Sequence, residues 1–340
     1  MRYKILGRSG LRVSELCLGA MTFGESWSLG ASRETSQKVF ERYAEAGGNF
    51  IDTANNYQDG SSETYLSDFM AGNRDNFVVA TKYTATSTEQ TDPNQGGNGR
   101  KTLHQKIEGS LRRLKTDYID LLYVHVWDFI TPVDEVMRAL DDVIRAGKVL
   151  YIAISDTPAW IVAEANTRAE LMGWSRFIGF QLPYSLVSRD IERAEIPLAK
   201  HWDIAILPFG ALGGGLLSGK YSNGGTGRLG RPDLTEQQRR ILDEVTTIAQ
   251  EVGRTPSQVS LNWVRQQQER AVIVPILGAR NETQLQDNLQ CLEWTLSPEQ
   301  LQRLDEVSRI DYGFARSIEA SPYVFGKTFE LSDFHRGYPV

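Results

Sequence analysis

The sequence predicts one α/β domain over residues 1–340, a closed (β/α)₈ TIM barrel, and three observations lead to this prediction. Short apolar runs recur along the chain, helical patterns lie between them, and no linker divides the chain. Near-continuous apolarity is typical of parallel strands that are buried on both faces. Eight evenly repeated strand–helix units favour a closed barrel over the alternative, a doubly wound open sheet. The eight runs are 16–19, 49–52, 78–82, 121–125, 151–155, 178–181, 204–208 and 272–276.

A β-hairpin is predicted ahead of the first run. It pairs Tyr3–Ile5 with 11–14 across a turn that contains Gly7 and Gly10. We expect this N-terminal hairpin to plug the bottom of the barrel.

The predicted helices show apolar stripes at intervals of three or four residues, which is typical of helices packed on a core. Ser32 can cap the first helix, which Gly47 and Gly48 end. The stripes are Val39, Phe40, Tyr43 and Ala46; Leu103, Ile107, Leu111 and Leu114; Val133, Val136, Leu140, Val143 and Ile144; and Ile241, Val245, Ile248 and Val252.

Two long connections interrupt the regular alternation. Residues 84–100 are polar and rich in glycine, and residues 210–233 contain nine glycines. In a barrel the active site lies among the loops that leave the C-terminal ends of the strands, and both connections leave from that end. The tail, 312–340, would join them there if it folds back.

Composition and charge narrow the range of partners. The net charge is −6 and no basic cluster is longer than two residues, so the concentrated cationic face that nucleic acid binding requires is missing. Cys17 and Cys291 are far apart in sequence, which favours buried thiols in a reducing cytoplasm. We find neither a signal peptide nor an apolar run of about 20 residues. We therefore expect a cytoplasmic protein that does not bind membranes. The oligomeric state stays open, a homo-oligomer included.

Polar residues close several of the predicted strands and should therefore face one mouth; they are Asp52, Lys82, His125, Ser155 and Gln181. Of the four histidines only His125 ends a strand, and no pair has helical ligand spacing, so we predict no metal site. The chain also lacks a GxSxG elbow, which disfavours hydrolysis by a serine nucleophile.

Several stretches could bind a dinucleotide. The GxGxxG of residues 225–230 follows no strand, so we interpret it as a flexible loop. Phe209 ends a strand with an aromatic ring that can stack on nicotinamide. Gly278 and Arg280 follow the last strand and precede a helix. A glycine turn, a helix N-terminus and an arginine are suited to a ribose 2′-phosphate.

With these residues in place, the sequence resembles the aldo-keto reductase superfamily over nearly its whole length, from about Gly7 to Leu301. The motifs that carry the resemblance are Asn49-Phe-Ile-Asp52-Thr-Ala-Asn-Asn-Tyr57, Ala80-Thr-Lys82, Asp120-Leu-Leu-Tyr-Val-His125-Val-Trp-Asp128, Gly147-Lys-Val-Leu-Tyr-Ile-Ala-Ile-Ser155, Gln181 with Tyr184-Ser-Leu, Gly214-Gly-Leu-Leu-Ser-Gly-Lys220-Tyr, and Gly278-Ala-Arg280 with Gln284 and Asn288. The run Ile154-Ser-Asp-Thr-Pro-Ala-Trp160 and the pair Trp127-Asp128 look most like those of the aryl-alcohol dehydrogenase-type members of bacteria and fungi.

The resemblance implies an NADPH-dependent oxidoreductase that reduces aldehydes or ketones, its small-molecule substrates, to alcohols. Tyr57 would be the general acid, Lys82 would lower the pKa of its phenol, Asp52 would orient Lys82, and His125 would polarise the carbonyl. The residues implied for NADP(H) binding are Thr22, Asp52, Ser155, Asp156, Gln181, Phe209, Gly210, Leu212, Gly214, Lys220, Gly278, Arg280, Gln284 and Asn288.

Three positions depart from the family pattern. Asp156 stands where Asn is usual, Phe209 where Tyr or Trp is frequent, and Ala211 where Pro is common. None of them is one of the four catalytic positions.

Two other functions stay open at this point. The first is a regulatory role with weak turnover, as in the related potassium-channel β-subunits. The second is a lyase that uses Lys82 as a Schiff-base nucleophile. If the chain is a reductase, an aromatic wall would favour aromatic or apolar substrates. Its candidates are Phe23, Trp27, Tyr83, Trp127, Tyr323, Phe325 and Phe329.

Overall fold

The computed structural model describes residues 1–86, 91–220 and 233–314, and its centre is a ring of parallel strands. Seven strands follow one another in chain order around this ring, and the last of the described strands pairs with the first of them. This order is that of a barrel and not of a doubly wound sheet, so the predicted fold class is confirmed. The eight strands are β3 (Cys17–Gly19), β4 (Phe50–Asp52), β5 (Val78–Tyr83), β6 (Ile119–Val124), β7 (Val149–Ser155), β8 (Phe177–Pro183), β9 (Ala205–Phe209) and β10 (Ile276–Gly278).

The ring closes at a proline. The run predicted as the eighth strand, 272–276, is divided, because Pro275 has no N–H to donate to a ladder. Before it, Val274 N donates to Ile206 O of β9 at 2.9 Å, and Ile206 N donates to Val272 O at 2.8 Å. After it, β10 pairs with β3. The predicted bounds of this strand are therefore wrong. The residues before Pro275 pair with β9, and the residues after it pair with β3.

The N-terminal hairpin is formed by β1 (Tyr3–Ile5) and β2 (Arg12–Ser14). Leu6 and Val13 belong to the apolar cluster inside the barrel. Arg8 N donates to Asp203 O, just before β9, at 2.8 Å. Gly7 has φ +53°, and a Cβ there would lie 2.2 Å from Ile178 O, so this close approach requires glycine. The hairpin thus seals the bottom of the barrel, as predicted.

Ten α-helices surround the ring in the described part of the chain. Ser32 caps the first by accepting from Thr35 N, and the predicted stripes of the first, third, fourth and seventh helices are largely buried. The helices are α1 (Arg33–Glu45), α2 (Ser61–Phe69), α3 (Arg100–Leu114), α4 (Val133–Arg145), α5 (Ala159–Met172), α6 (Glu195–Trp202), α7 (Glu236–Val252), α8 (Pro256–Arg265), α9 (Glu282–Leu289) and α10 (Pro298–Val307).

Alternation along the strands produces two apolar cores. In β6, Leu121 and Tyr123 point into the barrel, whereas Leu122 and Val124 belong to the larger core between sheet and helices. Cys17 and Cys291 are free and buried. Within residues 1–86, 91–220 and 233–314, no helix is both long and apolar enough to cross a bilayer.

Candidate active site

A buried lysine is the centre of the polar cluster at the C-terminal ends of the strands. The Lys82 side chain on β5 is fully buried, and its Nζ donates to Asp52 Oδ2 at 2.7 Å, Thr53 O at 2.8 Å and the Tyr57 hydroxyl at 3.1 Å. An ammonium group has three N–H donors, and each has an acceptor here. Burial on its own lowers the pKa of Lys82, but Asp52 and Tyr57 outweigh it and raise that pKa above its usual value. Lys82 is therefore held as a cation.

Asp52 connects this lysine to the far side of the barrel. Its second oxygen, Oδ1, accepts from Gln181 Nε2 on β8 at 2.7 Å. Both carboxylate oxygens are thus occupied, which fixes the orientation of Asp52 between Lys82 and Gln181.

Tyr57 begins a short 3₁₀ turn, Tyr57–Gly60, directly after the loop that follows β4. Burial raises the pKa of its phenol, and the Lys82 ammonium is the main influence that lowers it. The expected effect of Lys82 is present, but burial exceeds it, so the net direction is opposite to the sequence-based expectation. Tyr57 therefore carries its proton at neutral pH.

His125 follows β6, and its ring meets the Tyr57 ring edge to face at a centroid distance of 5.9 Å. Burial lowers the pKa of His125 to about 3, and the Lys82 charge adds to this effect. The imidazole is consequently neutral, and its buried Nδ1 has no hydrogen-bond partner within the described residues. A neutral imidazole has one N–H to donate, which suits it to polarising a carbonyl oxygen.

Ser155 and Asp156 lie where β7 ends, next to Gln181. Ser155 Oγ is buried without a hydrogen-bond partner in the part of the chain that the structure describes. Asp156 has φ +41°, and desolvation raises the pKa of its carboxyl group. Asp and Asn tolerate this left-handed backbone region better than other residues, which explains why one can replace the other here.

The loop after β9 forms a glycine-rich cradle. Phe209 is half-buried at the end of the strand, and Gly210, Gly213, Gly214 and Gly215 all have positive φ. A Cβ at Gly210 or Gly215 would meet nothing within 4 Å, so the space above them is open. Leu212 is half-buried, and Lys220 is exposed at the last described residue before 233.

A second opening lies after β10. Gly278 is exposed, with nothing within 4 Å of a Cβ there, and Thr22 Oγ1 donates to the next carbonyl, Ala279 O, at 3.2 Å. Asn288 Nδ2 donates to Gly278 O at 3.5 Å. These contacts bring Thr22, Gly278 and Asn288 together beside the opening.

Arg280 stands at the N-terminus of α9. Gln284 Oε1 accepts from Arg280 N at 3.0 Å, and Gln284 N donates to the capping Asn281 Oδ1 at 2.9 Å. The Arg280 guanidinium has no hydrogen-bond or ion-pair partner among the described residues, so it is free to bind an anion there.

The aromatic wall and the GxGxxG stretch were also predicted from the sequence. Phe23, Tyr83 and Trp127 are buried in the outer core and do not form an aromatic wall. Trp27 is half-buried, and its ring meets the Tyr57 ring edge to face at 6.1 Å. The GxGxxG of 225–230 and the aromatic residues of the tail, Tyr323, Phe325 and Phe329, lie outside the described residues.

Gln58 supports the site and was not predicted from the sequence. Its side chain is fully buried, with Nε2 donating to Met21 O at 3.1 Å and Oε1 accepting from Trp27 N at 2.8 Å. It therefore ties the loop that carries Trp27 to the Tyr57 turn. The backbone φ of Gln58 is +50°, which is unusual for a residue other than Gly, Asn or Asp. No feature of the sequence indicates this conformation.

No group of three or more His, Cys, Asp and Glu side chains within 1–86, 91–220 and 233–314 is arranged to hold a metal ion.

The chain is similar to known oxidoreductases over most of its length. The profile of the Aldo/keto reductase family matches residues 15–309. A norsolorinic acid reductase of Emericella nidulans is 39% identical over 317 residues, covering 90% of this chain and 81% of its own. An aryl-alcohol dehydrogenase of Pestalotiopsis microspora is 39% identical over 323 residues, covering 92% and 84%. An aryl-alcohol dehydrogenase (NADP⁺) of Phanerodontia chrysosporium is 37% identical over 329 residues, covering 90% and 85%.

Proposed function

The chain belongs to the aldo/keto reductase family, and from this premise we propose that it reduces aldehydes or ketones to alcohols with NADPH, Tyr57 being the proton donor. The observation that carries the proposal is the continuous set of contacts from Asp52 through Lys82 to the Tyr57 hydroxyl, beside the neutral His125. Consumption of NADPH with a panel of aromatic and aliphatic carbonyl compounds tests it. Tight NADPH binding without turnover would favour the regulatory alternative.

The residues assigned to the cofactor fit a dinucleotide bound along the C-terminal ends of β7, β8, β9 and β10. These four strands follow one another in the ring. Ser155, Asp156 and Gln181 would hold the carboxamide, and Phe209 would back the nicotinamide ring. The open glycine cradle and Lys220 would hold the pyrophosphate, and Arg280, Gln284 and Asn288 the adenosine end. When bound, NADPH supplies the hydride.

The polar side chains at the C-terminal ends of the strands carry out the other steps of the reaction. His125 donates a hydrogen bond to the carbonyl oxygen and orients it. Tyr57 donates its phenolic proton to the same oxygen as negative charge develops there. Lys82 stabilises the phenolate that forms, and Asp52 holds Lys82 in place. The buried site keeps these electrostatic interactions strong.

We further propose that the substrates are aromatic or apolar. The half-buried Trp27 ring against Tyr57 provides an apolar surface beside the proton donor. Relatives named aryl-alcohol dehydrogenases support this class. Comparison of kcat/KM between benzaldehyde-type and short polar aldehydes tests it, and a preference for the polar aldehydes would contradict it.

Arg280→Ala should weaken NADPH binding and leave NADH binding nearly unchanged. A charge-assisted hydrogen bond to the 2′-phosphate contributes about 1.5–3 kcal/mol, or about ten- to a hundredfold in affinity. Titration of both cofactors by tryptophan fluorescence measures the effect. The matched control is Arg254→Ala, which removes a surface arginine paired with Glu293. Equal losses for the two cofactors would refute the assignment.

Asp156→Asn should be tolerated, with turnover within about threefold of the parent. A carboxylate only accepts from the nicotinamide amide, whereas Asn can also donate, and both residues tolerate the backbone at φ +41°. Steady-state kinetics with NADPH, together with thermal unfolding, would check this. Loss of turnover in a folded variant would show that Asp156 has a catalytic role.

A further inference from the structure

Asn98 is a buried amide in the long loop between β5 and α3, and its contacts reach both neighbouring strand ends. Its side chain is fully buried. Nδ2 donates to Val126 O and to Thr84 Oγ1, each at 3.0 Å, and Oδ1 accepts from Asp128 N at 2.6 Å. One side chain therefore joins the segment that follows Lys82 to the segment that follows His125.

Asp128 completes the contact from the other side. Its Oδ2 accepts from Asn98 N at 2.7 Å, and its Oδ1 accepts from Ile130 N and Thr131 N, each at 2.9 Å. Asn98 and Asp128 thus exchange two hydrogen bonds, each from the backbone of one residue to the side chain of the other. We call this pair the Asn98–Asp128 clamp.

The clamp holds backbone that departs from ordinary conformations. Thr84 has φ +90° and Phe129 has φ +57°. Residues other than Gly, Asn and Asp rarely adopt a positive φ. Such conformations persist only where surrounding contacts enforce them. Thr84 is held through its Oγ1 by Asn98 and through its carbonyl by Gly97 N at 3.0 Å.

His125 depends on this backbone more than the other members of the site. Lys82, Asp52 and Tyr57 fix one another by hydrogen bonds, whereas the His125 imidazole has none within the described residues and touches Tyr57 only edge to face. Its position therefore depends on ring packing and on the backbone from 125 to 128. That backbone is held at Val126 O and Asp128 N by the single side chain of Asn98.

We infer that Asn98 is a positioning residue, which sets the orientation of the His125 imidazole toward the carbonyl through the Asn98–Asp128 clamp. The functional part of this inference rests on the proposed reduction. The effect on the His125 ring itself does not depend on it.

The first test reads the ring directly. In protein labelled with ¹⁵N-histidine, His125→Ala assigns the His125 ring signals among those of the four histidines. Asn98→Ala should shift or broaden these signals, while those of His201 on α6 remain in place. The matched control is Thr102→Val, which removes the single hydroxyl donor that Asn94 O and Gly96 O share in the same loop and that makes no hydrogen bond to residues 125–128. Unchanged His125 signals in Asn98→Ala would overturn the inference.

The second test is a double-mutant cycle on turnover. Asn98→Ala should lower kcat for the carbonyl substrate about tenfold, because a small displacement of a polarising group is costly, and should leave the Kd for NADPH unchanged. In the His125→Ala background the same change should cost less than about twofold. An equal loss in both backgrounds would overturn the inference and leave Asn98 a general structural role.

If the alanine variant does not fold, the same experiments can be done with Asn98→Asp. It retains the acceptor for Asp128 N and loses the donor to Val126 O and Thr84 Oγ1. Absence of carbonyl reduction by the parent protein would refute the proposed function, and the ring signals would still decide the role of Asn98.

Discussion

Tyr57→Phe should lower turnover by about 100-fold or more, which is the scale of general-acid catalysis. The substitution removes one hydroxyl and leaves the ring that packs against Trp27 and His125. The NADPH affinity should stay within a few-fold, because none of the residues assigned to the cofactor is changed. Steady-state rates and fluorescence titration measure the two quantities. The matched control is Tyr65→Phe, a phenol on α2 outside the site.

The pH dependence provides an independent check on the same residue. Reduction requires the protonated phenol, and burial raises the pKa of Tyr57, so the protonated form persists through neutral pH and is lost only in the alkaline range. His125, with a pKa lowered to about 3, stays neutral above that pH. The kcat/KM for reduction should therefore show no titration near 6.5, the usual histidine value. A normal rate in Tyr57→Phe would contradict the proposed proton donor.

Lys82→Met should lower turnover to a similar extent and should also destabilise the protein. The Tyr57 phenolate that forms in the reaction loses its cation, and the carboxylate of Asp52, a residue only 4% exposed, loses its charge partner. Leaving one member of a buried pair uncompensated costs about 3–5 kcal/mol of folding free energy. Turnover of the folded fraction and denaturant unfolding measure the two effects separately.

A double variant separates stability from chemistry at Lys82. Asp52→Asn combined with Lys82→Met removes both charges, so the free energy of unfolding should largely recover while turnover stays low. Recovery of turnover together with stability would show that Lys82 acts only in folding.

The same lysine decides between reduction and Schiff-base chemistry. An imine forms from the free amine, but all three Lys82 donors are hydrogen-bonded and its pKa is raised, so the free amine is disfavoured. Borohydride treatment in the presence of a carbonyl compound should therefore leave Lys82 unmodified, as seen by mass spectrometry. A trapped adduct at Lys82 would favour the lyase alternative.

The barrel, the N-terminal hairpin and the polar cluster around Lys82 could all be predicted from the sequence. Parallel strands buried on both faces need continuous apolar runs, and helices on a core need stripes at three- and four-residue spacing, so both leave local signals. Because parallel strands share one C-terminal edge, Asp52, Lys82 and His125 could be placed together before any contact was known.

Features that depend on contacts between distant segments could not be predicted from the sequence. The last apolar run is divided at Pro275 because it pairs with β9 before the proline and with β3 after it. The pKa of Tyr57 is raised because the barrel buries the phenol deeply. The Asn98–Asp128 clamp spans 30 residues and enforces backbone conformations that no local preference favours. Such features arise from packing and burial of the whole fold, which leave no periodic pattern along the chain.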